Sequence, residues 1–165
     1  MQYAMLIYAE PGYTDTPLIQ LDGVGAGGGA NGLLITAGDS TVKGFVITRF
    51  GGHGLLLQTG GNNTIQGNIL GSDANGAPGL GNGGNGIRFR GAGAMGNQVQ
   101  GNFIGTDVSG MLDAGDVNDG VVIGGVSDAN SNVVGGFTPA DRNIISGNSR
   151  TGSIYIVKPK MTSFE

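Results

Sequence analysis

The 165-residue chain has no cysteine, so neither a disulfide framework nor a thiolate metal site contributes to it. Charge is scarce too: 12% of the residues are acidic or basic, and the net charge is −4. Lys43, Lys158, Lys160 and five scattered arginines form no basic patch, which argues against a nucleic-acid partner. No apolar run approaches the roughly 20 residues a membrane-spanning helix needs, so no membrane partner is expected. The opening MQYAMLIYAE lacks a basic n-region and meets Glu10 too early for a secretory signal, so these residues carry no address. Helical periodicity is missing over even three turns.

Glycine is what the chain has in excess. Its 36 glycines are about three times the ordinary usage of about 7%. They follow no three-residue period, which excludes collagen, and regular aliphatic clusters between them argue against disorder. Those clusters repeat. Residues 63–89, NTIQGNILGSDANGAPGLGNGGNGIRF, align without a gap on residues 97–123, NQVQGNFIGTDVSGMLDAGDVNDGVVI, at an offset of 34 with nine identities. STVKGFVITRFGGHGLLL (40–57) carries the same grammar with a shorter loop, and RNIISGN (142–148) repeats the asparagine-aliphatic-glycine-asparagine element. A glycine followed by aliphatics begins at Gly32, Gly54, Gly86, Gly120 and Gly152, at spacings of 22, 32, 34 and 32. That is the spacing of a solenoid with loops of variable length.

Units of three to five β-branched or aliphatic residues bounded by glycine and asparagine read as short strands. None can bury an apolar face alone, so they must stack. The expected fold is all-β: one single-stranded right-handed parallel β-helix, a β-solenoid of about five coils. It forms one domain over 1–165, with an N-terminal cap segment at 1–16, repeats over 17–156 and a tail at 157–165. Alternation places Leu33, Leu55, Ile87, Val121 and Ile154 in one inward column and Ile35, Leu57, Phe89, Ile123 and Ile156 in the next. A second sheet turns Val42, Ile65 and Val99 inward, continuing through Val134 or Ile145. Asn68, Asn102 and Asn148 each follow a glycine where the chain must turn. Asparagine tolerates the left-handed conformation there, and stacked copies form a hydrogen-bonded ladder.

NTIQGN, NQVQGN and RNIISGN, with the IGTD and GVVI segments between them, resemble the parallel β-helix repeats of pectin-lyase-like folds. The similarity is closest to tandem arrays in large bacterial surface or secreted proteins, and spans about residues 17–156. It implies three sheets per coil, a right-handed winding and a secreted or surface parent. It implies no single function, because that fold carries lyases, hydrolases, adhesins and inert stalks alike. MQYAMLIYAE faintly resembles the opening strand of YCII-like α/β proteins, which suggests a captured gene piece such as a mobile cassette.

Catalytic members of the resembled class display clustered aspartates on an outward sheet face, as acid–base cleavage of a glycosidic bond requires. Here the outward positions read Lys43, Gln66 and Gln100 on one sheet and Leu34, Leu56, Arg88, Val122 and Tyr155 on another, with no carboxylate. The expectation is therefore no catalytic residue and no enzyme. Calcium is the one cofactor the residues suggest, through Asp107, Asp113, Asp116 and Asp119. DVNDG at 116–120 resembles a calcium loop but has the wrong spacing for an EF-hand. Asp73 and Asp107 are expected to form Asx-turns, and the lone His53 occupies the corner taken elsewhere by Asn31, Asn85 and Asp119. Leu34, Leu56, Val122 and Tyr155 make an outward apolar column that needs a cover. A returning segment at residues 1–8 is one candidate and a second protomer the other, so a homo-oligomer is expected. Three functions follow: a self-associating structural or interaction module first, then a carbohydrate-binding solenoid, then a polysaccharide lyase or hydrolase remnant. Few outward aromatics weigh against the second.

Overall fold

The computed structural model describes residues 6–8, 19–73, 75, 77, 79–124, 131–150 and 154–156, with the backbone alone at 6–8 and 154–156. Among the described residues, short aliphatic runs between glycines become fifteen short strands. The first sheet holds β1 (Leu6–Tyr8), β4 (Thr41–Lys43), β7 (Thr64–Gln66), β10 (Gln98–Gln100) and β13 (Val133–Val134). The second holds β2 (Ile19–Asp22), β5 (Phe45–Thr48), β8 (Ile69–Leu70), β11 (Phe103–Ile104) and β14 (Ile144–Ile145). The third holds β3 (Leu33–Ile35), β6 (Leu55–Leu57), β9 (Ile87–Phe89), β12 (Val121–Ile123) and β15 (Ile154–Ile156). The chain visits the three sheets in strict rotation, and every strand pairing is parallel, as in a parallel β-helix. Among the described residues the only helical segment is a 3-10 turn, Pro139–Asp141.

Register follows the repeat. Leu33, Leu55, Ile87, Val121 and Ile154 are successive partners, and so are Ile35, Leu57, Phe89, Ile123 and Ile156. In the first sheet Val42, Ile65, Val99 and Val134 align, which settles the choice left open between Val134 and Ile145. Ile145 instead ends the inward column of the second sheet, after Leu21, Ile47, Leu70 and Ile104. These columns enclose one apolar core, in which Leu55, Ile65, Leu70, Phe89, Val99 and Ile104 are fully buried. One face of each strand points there, so period-2 alternation fixes the register by burial.

Three ladders, buried except at their Asn132 and Asn143 ends and one at each corner, tie the strands along the axis. Asn63 donates from its backbone N and Nδ2 to Asn97 Oδ1 (2.9 and 2.8 Å), and Asn97 does the same to Asn132. Asn68 donates likewise to Asn102 Oδ1, and Asn102 to Asn143 Oδ1. The third runs Asn82, Asp116, Asn148. Asn148 thus stands in a different column from Asn68 and Asn102, whose third member is Asn143. Residues 142–148 contain two Gly- or Asn-bounded corners in seven residues, and spacing alone does not tell them apart. The left-handed conformation also falls on the preceding residue: Gly67, Gly101 and Gly147 have φ of 61°, 63° and 67°. Glycine has no Cβ to clash there, which frees each asparagine to bond along the ladder.

The outward apolar column is not an open face. Leu34 is 52% exposed, but Leu56 is 6% and Val122 1%. Leu34 belongs to the edge strand β3, with a neighbour on one side only, whereas Leu56 and Val122 flank Arg88 in register, between strands on both sides. Arg88 is half-buried, and its aliphatic stem lends apolar area to such a stack. The side chain of Tyr155 lies outside the described residues. Leu6–Tyr8 extends the first sheet beside β4 rather than lying over the third. The remaining cap residues 1–5 and 9–16, and the tail 157–165, also lie outside the described residues.

Candidate functional site

The outer face of the second sheet carries a second column, apolar beyond its first member. Gln20, Val46, Ile69, Phe103 and Ile144 are successive register partners, each alternating with an inward core residue. Over Ile69, Phe103 and Ile144 lies a groove of about 620 Å³. Its walls are Val108, from the loop after β11, and Pro139 and Ala140 of the 3-10 turn; Lys43, Gln66 and Arg142 supply its polar side chains. Gly67 and Gly101 keep the corner between the first and second sheets low, and nothing lies within 4 Å of where a Gly67 Cβ would stand.

Local hydrogen bonds hold both walls. Asp107 accepts from the backbone N–H groups of Ser109 (3.1 Å), Met111 (3.2 Å) and Leu112 (3.1 Å), which folds the loop beside Val108. The Ser109 hydroxyl foremost, and then these N–H groups, hold the Asp107 carboxyl down at about 2. Asp141 Oδ2 accepts from Thr138 N (2.9 Å) and Oγ1 (2.8 Å) and closes the 3-10 turn under a capping box. Backbone and hydroxyl donation from Thr138 lowers its pKa as well. Both carboxylates flank the groove, and neither lines it.

The cations behave differently. Among the described residues the one ion pair joins Arg49 to Asp22, and the side chains of Lys43 and Arg142 make neither hydrogen bond nor ion pair. Lys43 ends β4, and Arg142 lies three strand steps further along the axis, opposite Gly101 in the register set by Asn102 and Asn143. The groove therefore has a mainly apolar floor with one cation towards each end, neither paired among the described residues.

Asp107, Asp113, Asp116 and Asp119 are dispersed. Asp113 faces Thr106 in an isolated bridge, Asp116 is sealed in a ladder, and Asp119 N–H bonds Asn85 Oδ1. No three acidic or histidine side chains among the described residues stand where one metal ion would reach them. Asp73 also makes the turn expected of it, accepting from Asn75 N and Ala77 N.

A buried carboxyl and a half-buried imidazole lie elsewhere in the stack. Asp116 Oδ1 accepts from Asn82 N (2.8 Å) and Nδ2 (2.9 Å), while Oδ2 is buried with no partner. Burial drives its pKa up to about 6 against those two bonds. His53 joins a fourth column: its N–H donates to Asn31 Oδ1 (2.8 Å), and its Nδ1 accepts from Asn85 N (2.9 Å). Burial first, then the charges of Arg88 and Arg90, lower the His53 pKa, so the neutral ring with a bare Nδ1 is the form that fits.

Sequence reasoning placed Lys43 and Gln66 on an outward face but missed Ile69, Phe103, Ile144 and Arg142. The signal was present: each residue after a corner asparagine (Ile69, Phe103, Ile144) is apolar, although alternation turns it away from the core. The fold and groove define an all-β protein of three stacked parallel sheets with a recessed, cation-flanked outer face. Compared with known protein families, with curated proteins and with solved structures, the chain matches none. No helix among the described residues is long and apolar enough to cross a membrane.

Proposed function

We propose that this chain is a non-catalytic interaction module: a right-handed β-solenoid of about five coils, related to pectin-lyase-like repeats, that presents a ligand groove on its second sheet. Five parallel strands per sheet support the coil number, and the strong preference of parallel crossovers for one hand supports the winding. The observation that carries the function is the 620 Å³ groove over Ile69, Phe103 and Ile144, a volume within the range of small-molecule sites. Its nearest carboxylates are engaged by backbone donors, which favours binding over acid–base chemistry.

A second reading, carbohydrate binding, draws on Phe103. Its half-buried ring lies on the groove floor beside Gln66, an aromatic platform with an adjacent amide. Amide NMR titration against panels of oligosaccharides, peptides and aliphatic acids tests the proposal. Shifts should concentrate at residues 66–69, 101–108 and 139–144, and Ile144→Trp, filling an exposed part of the groove, should abolish them without lowering the melting temperature. Shifts confined to another face would refute the groove as the site.

A further inference from the structure

Resting on the reading of this groove as a binding site, we propose that its ligand is a linear amphipathic dianion, with an apolar body and an anionic group towards each end. The floor argues first. Phe103 and Ile144, with the buried Ile69 below and Val108, Pro139 and Ala140 as walls, give the groove a mainly apolar surface, and Gln66 is its one polar side chain between the two cations. Hydroxyls laid on the aliphatic part of that surface, out of reach of the Gln66 amide, would lose water without gaining partners, at about 1–3 kcal/mol each. An alkyl or aryl body matches the surface.

Charge argues second. The chain is acidic overall, yet the groove's charged side chains are two cations, and neither has a described partner. A neutral apolar ligand would take water from both without replacing it, whereas an anion supplies a charge-assisted bond. Spacing argues third. Lys43 and Arg142 emerge three strand steps apart, about 14 Å along the axis at the usual inter-strand distance. An extended molecule with two anionic ends matches that separation, and its body then crosses the apolar floor.

Calorimetric titration of the full chain with dodecanedioate, dodecanoate and 1,12-dodecanediol tests this. Dodecanedioate, whose extended carboxylates are a comparable distance apart, should bind tightest and the diol weakest. Lys43→Gln and Arg142→Gln should each weaken dodecanedioate about tenfold, the loss expected for one charge-assisted bond, and leave the diol unchanged. Equal affinity for the diol, indifference to both substitutions, or no binding of any aliphatic probe overturns the inference. If oligosaccharides or peptides still shift groove residues in an Ile144→Trp-sensitive way, the binding site survives and only its ligand class falls. If nothing does, both fall.

Discussion

At the scale of single residues, Asp116 and His53 set opposite pH limits on the same stack. The Asp116 carboxyl titrates near 6 in the folded chain and near 3.8 when unfolded, so the folded state holds its proton more tightly. Stability is complete below about pH 4, falls as the pH rises towards 6 and stays reduced above it, by about 3 kcal/mol. Asp116→Asn should restore that loss at pH 7.5 and change little at pH 4. Its new Nδ2 would face the Leu70 carbonyl, the register equivalent of the Ile47 and Ile104 carbonyls that Asn82 and Asn148 bond. Urea denaturation at the two pH values reads this, and a variant no more stable than the parent at pH 7.5 contradicts it. His53 works the other way. Its pKa is lowered from 6.5, so the unfolded chain takes up the proton first and stability drops as the pH falls below about 6.5. His53→Asn keeps an acceptor for Asn85 N–H and should flatten that acid limb of the stability curve.

Between elements, the asparagine ladders do what strand length cannot. Strands of two or three residues offer few ladder hydrogen bonds, and corner side chains add bonds that run strictly from one strand level to the next. Asn102 alone accepts from Asn68 N and Nδ2 and donates to Asn143 Oδ1, the Ile65 carbonyl and the Gln100 carbonyl. Asn102→Ala should therefore cost roughly 3 kcal/mol or more, because it strands several buried donors and acceptors at once. A loss under about 1 kcal/mol in chemical denaturation would mean that water substitutes for the ladder. Close packing constrains the same corners from the backbone side: a Cβ on Gly115 would land on the Gly147 carbonyl of the neighbouring level. Gly115→Ala is expected to forbid that approach and expose the third ladder, visible as lost amide protection at Asn82 and Asp116.

For the molecule as a whole, a stack in which each level touches only its neighbours gains stability by nearest-neighbour terms. Hydrogen exchange should then be slowest in β7 to β12 and fastest in β2, β3, β13 and β14, whose levels are flanked on one side. Uniform protection across the sheets would indicate a global unit instead. Much of this plan was legible in the residues. The offset of 34 between residues 63 and 97 aligned strands that do pair, and alternate aliphatics such as Leu55, Ile87 and Val121 do share one column. The column of Leu34, Leu56 and Val122 was legible, but the enclosure of Leu56 and Val122 was not, because alternation says which way a side chain points and not what surrounds it.

The repeat settled which strands pair and which side chains face inward, since both follow from a local period of two and the burial of one face. Which asparagines share a ladder, and that Lys43, Gln66, Ile69, Phe103 and Arg142 surround one groove, came only from the folded chain. The groove joins four segments far apart in sequence, and its walls are aperiodic loops held by Asp107 and Asp141. Their docking depends on contacts across strand levels, and no short-range pattern encodes such contacts.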